Sequence, residues 1–292
     1  MKIAKAHNYR GFTLVETAIA MGMVALMITA FMVAFGPAVK SINKSISAKQ
    51  AERLAGALEH ELSILRATEK EPVGGLADDG DARYVSAFEK AFYWIRDSST
   101  VDTAAVLIYQ YRGDPGSVRA DGTLQPYTLA MAEAYKSAND GEPPSPGVQY
   151  VIQTAVRRLS NNTVVSAELA PGVLQGRVYY ARMRQLIYYD TADADTDLEM
   201  VLAGENGAPG GLGQIIDPTP DGSGNRVSVT DSESYTAPPL PAPAPNGAGE
   251  GIIAFQVQFY IVPNVLYGYL STTWSVANPG ALVFTKNMAV MR

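Results

Sequence analysis

Residues 17–39 carry no ionisable side chain, and extending the run back to Phe12 admits a single charge, Glu16. At about 1.5 Å rise per residue, such a run crosses the ~30 Å hydrocarbon core of a bilayer as one helix. Beyond it the pattern changes period but does not stop. Val39, Ile42, Ile46, Leu54, Leu58, Leu62 and Leu65 recur at mostly three- and four-residue steps, with Lys44, Lys49, Glu52, Arg53, Glu59 and Glu61 between them. This spacing predicts one long helix over residues 12–70, its transmembrane half at 12–39 and its outer half amphipathic. Glu71-Pro72 followed by Gly74-Gly75 ends it. Proline removes a helical hydrogen bond and crowds the preceding turn, so Gly36-Pro37 predicts a kink near residues 33–37.

Residues 71–292 read as a β-rich head. Phe88, Phe92 and Ile95 mark a short amphipathic helix over 85–96, and 127–136 suggest a second. Strands are expected at 101–111, 176–189, 252–262, 267–276 and 281–290, the clearest being the alternation of Phe255, Val257, Phe259 and Ile261. Gly113-Asp114-Pro115-Gly116 reads as a turn. Residues 148–159 and 163–169 flank Ser160-Asn161-Asn162 and read as a hairpin. Ten glycines and eight of the eighteen prolines fall within residues 203–251. Few apolar side chains are left there to bury, so the segment reads as an extended surface loop between strands. The expected class is α+β: a long N-terminal membrane-spanning helix packed on an antiparallel, β-rich globular head.

Charge places the termini. Lys2, Lys5 and Arg10 precede the span and should stay cytoplasmic, putting the head outside, although Lys40, Lys44 and Lys49 oppose that bias from the other end. A secretory signal would place its small-residue cleavage site after a 7–15-residue apolar stretch. Here the apolar stretch is longer and the small residue, Gly11, comes before it. Without residues 1–11 the chain keeps 20 of its 23 Lys/Arg against 29 Asp/Glu, a formal −9, which does not suit a nucleic-acid binder. Cysteine is absent, so no disulfide staples the head.

A basic leader, Gly11, Phe12, Thr13-Leu14-Val15, Glu16 and an apolar helix together resemble the N-terminus of type IV prepilins, which the pseudopilins of type II secretion share. The resemblance covers roughly the first 50–60 residues. It implies that a membrane-embedded prepilin peptidase removes leader 1–11 after Gly11, that the amine of Phe12 is methylated, and that Glu16 pairs with the N-terminus of a neighbouring subunit. It further implies a single-pass protein of the inner membrane, with a pilin-like head outside, that joins sibling pilin or pseudopilin subunits in a pilus or pseudopilus. The head, residues 71–292, is large for a major subunit and suggests a minor pilin or minor pseudopilin. Many type IV pilins close a C-terminal loop with a disulfide, and this chain departs from them there.

Catalytic patterns are scarce, and no enzyme activity or cofactor is expected. The two histidines are His7, in the leader, and His60, beside Glu59 and Glu61 on the helix, where a solvated side chain is expected. There is no thiol, no Gly-x-Ser-x-Gly elbow and no phosphate loop. Gly249-x-Gly251-x-x-Ala254 precedes a strand when a dinucleotide site would follow one. Asp190, Asp193, Asp195 and Asp197 alternate as calcium ligands do, but position 204, where a closing Glu would fall, is Gly204, so no metal is expected. The alternative function is a membrane-anchored extracytoplasmic binding module, holding carbohydrate or another surface ligand through its tyrosine-rich strands. A hydrolase built on paired carboxylates has no positioned pair in this sequence.

Overall fold

Thr13 caps the long helix α1 (Leu14–Ser63) in a computed structural model that describes residues 13–70, 84–189, 199–205, 207–220, 226–229 and 251–292. The helical assignment runs without a break through Gly36-Pro37. It stops at Ser63, seven residues short of the expected end, where Ser63 Oγ bonds back to the carbonyl of His60 at 2.8 Å. The chain divides into two units, Met1–Lys49 and Gln50–Arg292. In the first, Leu14–Val33 has a mean hydropathy of 2.0 and none of it is buried. A helix that is apolar all round and uncovered needs lipid or other helices around it.

The second unit is the head. Residues 50–63 of α1 present Ala51, Leu54, Ala55, Leu58 and Leu62 inward at helical spacing. They share a core with Phe88, Phe92 and Ile95 of helix α2 (Ala87–Asp97). Ser86 starts α2 by accepting the amide of Glu89 at 3.1 Å. Both helices lie on one face of an antiparallel sheet. Its first strand β1 (Val106–Val118) pairs at its outer end with β2 (Leu124–Pro126). Helix α3 (Leu129–Ala138) separates β2 from β3 (Val151–Arg158), and β3 is followed by helix α4 (Asn162–Glu168) and strand β4 (Leu174–Tyr189). Strand β1 pairs with β3 along one side and with β4 along the other.

Short strands β5 (Glu199–Leu202), β6 (Ile215–Pro220) and β7 (Arg226–Val229) come next; β5 pairs antiparallel with the end of β4, while β6 and β7 pair with each other. Strand β8 (Ile252–Ile261) lies between β4 and β9 (Ala281–Met291), with helix α5 (Tyr267–Thr272) in the β8–β9 connection. Because side chains alternate across a strand, Ile108, Tyr179, Ala181, Met183, Phe255, Val257 and Phe259 face the α1–α2 layer. The opposite set, Leu107, Tyr109, Val178 and Tyr180, is covered by Val165 and Leu169 beside α4 and by Leu270 and Trp274 beside α5. The class is therefore α+β: an N-terminal apolar helix and an antiparallel head.

Four local expectations fail for identifiable reasons. Residues 163–169 form α4 and not a strand, because helical spacing brings Val165 and Leu169, with Glu168, to one buried side. Residues 267–276 contain α5 and not a strand; Leu270 is buried from within the helix and Trp274 from the turn that follows it. Gly113 to Gly116 do not end β1; the strand continues past them with a register shift, and the Asp114 carboxylate takes the Gly116 amide at 2.9 Å. Residues 203–251 are not loop throughout, since β6 and β7 lie within them. Gly213 shows why a glycine is needed there: its φ is +75°, and a Cβ would stand 2.7 Å from Thr100 Cγ2.

Candidate functional site

Two places in the chain carry chemistry. One is the start of α1. Thr13 and Glu16 bond reciprocally: the Glu16 amide donates to Thr13 Oγ1 at 3.3 Å, and Glu16 Oε2 accepts from the Thr13 amide at 2.9 Å and its hydroxyl at 3.0 Å. This is a capping box, which satisfies donors that the first helical turn leaves open. Glu16 is exposed and its Oε1 makes no hydrogen bond among the described residues. One oxygen is thus spent on the helix start, and the other is free for a second donor. Gly11 and Phe12 lie outside the described residues, as does the acidic run Asp190–Asp197. Among the described residues no three His, Asp or Glu side chains gather as a metal site, and His60 is exposed.

The other place is a cavity of about 410 Å³ in the head, between the end of α1, α2, the 119–121 loop and the end of β3. Two ionic clusters flank it. In the first, Lys90 is fully buried, its Nζ donating to Glu61 Oε1 at 2.7 Å, Glu69 Oε2 at 2.8 Å and the Ile64 carbonyl at 3.3 Å, and standing 4.7 Å from the Trp94 ring centre. Arg66 holds Glu61 through Nε and Nη2 and reaches the Asp121 carbonyl through Nη1 at 2.9 Å. In the second, fully buried Glu168 accepts from Tyr109 Oη at 2.7 Å, from Arg157 Nη2 at 3.0 Å and Nε at 3.3 Å, and from Arg119 Nη1. Arg157 continues to Asp121 Oδ2 at 2.8 Å and Thr123 Oγ1 at 2.8 Å.

Each cluster sums to zero formal charge: Lys90 and Arg66 against Glu61 and Glu69, then Arg119 and Arg157 against Glu168 and Asp121. Buried charges persist only when paired in this way. The sequence reading missed them all, and it took Glu61 for a solvated position. Glu61 belongs with the inward positions instead, three residues after Leu58 and seven after Leu54, and is 4% exposed.

These environments fix how the head responds to pH. Burial acts to raise Glu61, but the hydrogen bonds and charges of Arg66 and Lys90 outweigh it and hold the carboxyl below its ordinary range. Asp121 is lowered likewise, with burial outweighed by Thr123 and Arg157. A lowered folded pKa gives stability that is full above the unfolded value and lost as pH falls through the folded one. Tyrosines behave oppositely. Burial, joined by Glu168, drives the Tyr109 phenol well above 10.0 and Tyr111 to about 12, and burial takes Tyr180 to about 12. Their contribution is full below pH ~10 and lost as pH rises from there toward 12. The thermal midpoint is therefore expected to be flat across roughly pH 5 to 9 and to fall on both sides. Circular dichroism melts within that range and beyond both of its ends check it, and a midpoint unchanged between about pH 10 and 12 would contradict the tyrosine assignment.

No family model matches the chain, and neither a curated protein nor a solved structure matches it.

Proposed function

We propose that the protein is a structural subunit, a minor pilin or minor pseudopilin, of a type IV pilus or type II secretion filament. Prepilin peptidase cuts it after Gly11, and it assembles from the inner membrane through its N-terminal helix. The observation that carries this reading is the uncovered apolar helix Leu14–Val33, opened by the Thr13–Glu16 capping box directly after Gly11-Phe12. A filament core supplies the helices that such a surface needs. It also supplies a donor for Glu16 Oε1, since a carboxylate carried into an apolar environment requires a partner. The head, by contrast, closes its own core. A second reading, a membrane-anchored extracytoplasmic binding module, draws on the head cavity.

Substitution at Glu16 separates assembly from anchoring. Glutamine keeps a capping acceptor but removes the charge, while valine removes both. Both variants should still be cleaved and inserted in the membrane. If the free oxygen meets a neighbour's N-terminal amine, both should be lost from sheared filaments and from copurified sibling subunits, by about tenfold or more. Recovery of Glu16→Gln equal to wild type would reduce Glu16 to a helix cap. Equal recovery of Glu16→Val as well would remove it from assembly altogether.

A further inference from the structure

We propose that the outer edge of β9 receives an extended strand from a different polypeptide, which adds to the head's sheet. Strand β9 ends the order β1-β4-β8-β9 and pairs with β8 alone. The bond from the Arg292 amide to the Gly251 carbonyl, at 2.7 Å, sets the phase of that ladder. In an antiparallel pair, the strands bond to each other at every second residue. Phe284, Lys286, Met288 and Val290 therefore turn their amides and carbonyls toward β8, and Thr285, Asn287, Ala289 and Met291 turn theirs outward. No backbone partner meets these four among the described residues, and all four are exposed.

Amides and carbonyls that repeat along an edge about every 7 Å are matched by another extended main chain. Native proteins guard such edges with proline, bulges, short strands or free lysines. Strand β9 has eleven residues and no proline, and its one irregularity lies near its start, opposite Phe259 and Tyr260. Its one lysine, Lys286, turns toward α1, where Nζ meets Glu59 at 3.0 Å, so that charge is already answered. The flanking side chains set what fits. Phe284, Met288 and Val290 stand on the helix side of the sheet, at the rim of the core. Thr285, Asn287 and Ala289 stand on the other side. A strand with apolar residues at alternate positions, small or polar between them, suits both faces.

The same geometry argues against β9 of a second copy. Gln50 of α1 meets Tyr179 Oη at 3.0 Å, on the row of Ile261 and Ala281, and Glu59 meets Lys286. Residues 50–63 of α1 thus run in the direction of β9. An antiparallel β9 pair needs a two-fold axis normal to the sheet, which reverses those residues as well. The two chains would then enter their heads at Gln50 from opposite sides, which copies anchored in one bilayer cannot do. A two-fold along the strands fails too, because it sets outward residues against outward residues, while a parallel ladder alternates outward with inward.

The open edge does not depend on the filament role; only the choice against a second copy rests on the anchored reading. The test compares the full chain in the membranes of the cells that make it with the same chain purified in detergent. Hydrogen–deuterium exchange is resolved to single amides. The outward amides of Thr285, Asn287, Ala289 and Met291 should exchange freely in the purified chain and at least about tenfold more slowly in membranes. The inward amides of Lys286 and Met288 should be protected in both. Asn287→Pro deletes one outward donor and leaves the β8 ladder whole, so it should remove the membrane protection while the inward amides keep theirs. If Asn287→Pro loses the inward protection as well, Ala289→Lys replaces it, since a free lysine guards an edge without touching the ladder. Equal exchange in membranes and in detergent overturns the proposal, as does membrane protection that persists in the folded variant. Protection that grows with the concentration of the purified chain alone assigns the edge to a second copy and overturns it too. The N-terminal mass of the same membrane sample reports cleavage separately, so the strand site and the filament reading can each fail alone.

Discussion

Glu168→Ala should be the most damaging single change in the head. It would leave Arg157 and Arg119 facing each other in a buried cluster with Asp121 as the one remaining acid, and it would strip Tyr109 Oη of its acceptor. Breaking a buried ion pair by removing one partner costs about 3–5 kcal/mol. In a domain of this size that corresponds to a fall in thermal midpoint of roughly 6–20 °C. Glu168→Gln retains one acceptor oxygen and should fall less. The comparison is Glu133→Ala, which breaks an exposed pair to Lys136 in α3. Exposed pairs contribute about 0–1 kcal/mol, so that variant should melt close to wild type. If Glu168→Ala melts no lower than Glu133→Ala, the buried cluster does not hold the head together.

The elements that the sequence makes legible are those whose burial is set by their own periodicity. Phe255, Val257 and Phe259 alternate because β8 has one face against the α1–α2 layer, and no distant residue is needed to see it. α2 announces itself through Phe88, Phe92 and Ile95, and the apolar run of α1 through length alone. The failures share one cause. Residues 163–169 and 267–276 are short and rich in β-branched or aromatic residues, so strand and helix explain the pattern equally until a partner face exists. That face, built by Leu107, Tyr109 and Tyr180, comes from other strands, and it selects the helical spacing of Val165 with Leu169 and the burial of Leu270 in α5.

The cavity was illegible for a related reason. Lys90, Arg157 and Glu168 each look like an ordinary polar position in a mixed segment. What distinguishes them is the partner, and each partner is 11 to 59 residues away. A signal did exist in Lys90, which sits among Phe88, Ala91, Phe92 and Trp94, and in Glu61 on the leucine stripe. A charge on an apolar helix face predicts a buried counter-charge. Glu16 is the same lesson at the membrane end, where the neighbour that answers the charge lies three residues away in Thr13 and the remaining oxygen stays open.

Replacing Gly11 should have the largest effect on the life of the protein. In the filament reading a membrane peptidase must bring its catalytic groups against the peptide bond between Gly11 and Phe12. Glycine has no Cβ, so the backbone can approach closely and take conformations closed to other residues. A side chain there obstructs the approach, and misplacement of a scissile bond by about 1 Å costs on the order of 10²-fold in rate. Gly11→Val is therefore expected to accumulate uncleaved in the membrane, whereas in the same reading the wild-type chain would begin at Phe12 with a methylated amine. The consequences extend to Glu16. While leader 1–11 remains, Phe12 has a peptide nitrogen and no charged amine, so this chain has no cation to offer the glutamate of a neighbouring subunit that corresponds to Glu16. Gly11→Val and Glu16→Gln should then fail at the same step, exclusion from filaments, for opposite reasons: one lacks the cation and the other the anion. N-terminal mass spectrometry of membrane-extracted protein measures the first directly. A wild-type chain that begins at Met1, or beyond residue 30, would overturn the prepilin reading. A Gly11→Val chain that begins at Phe12 would show that the cut does not depend on a bare backbone at Gly11.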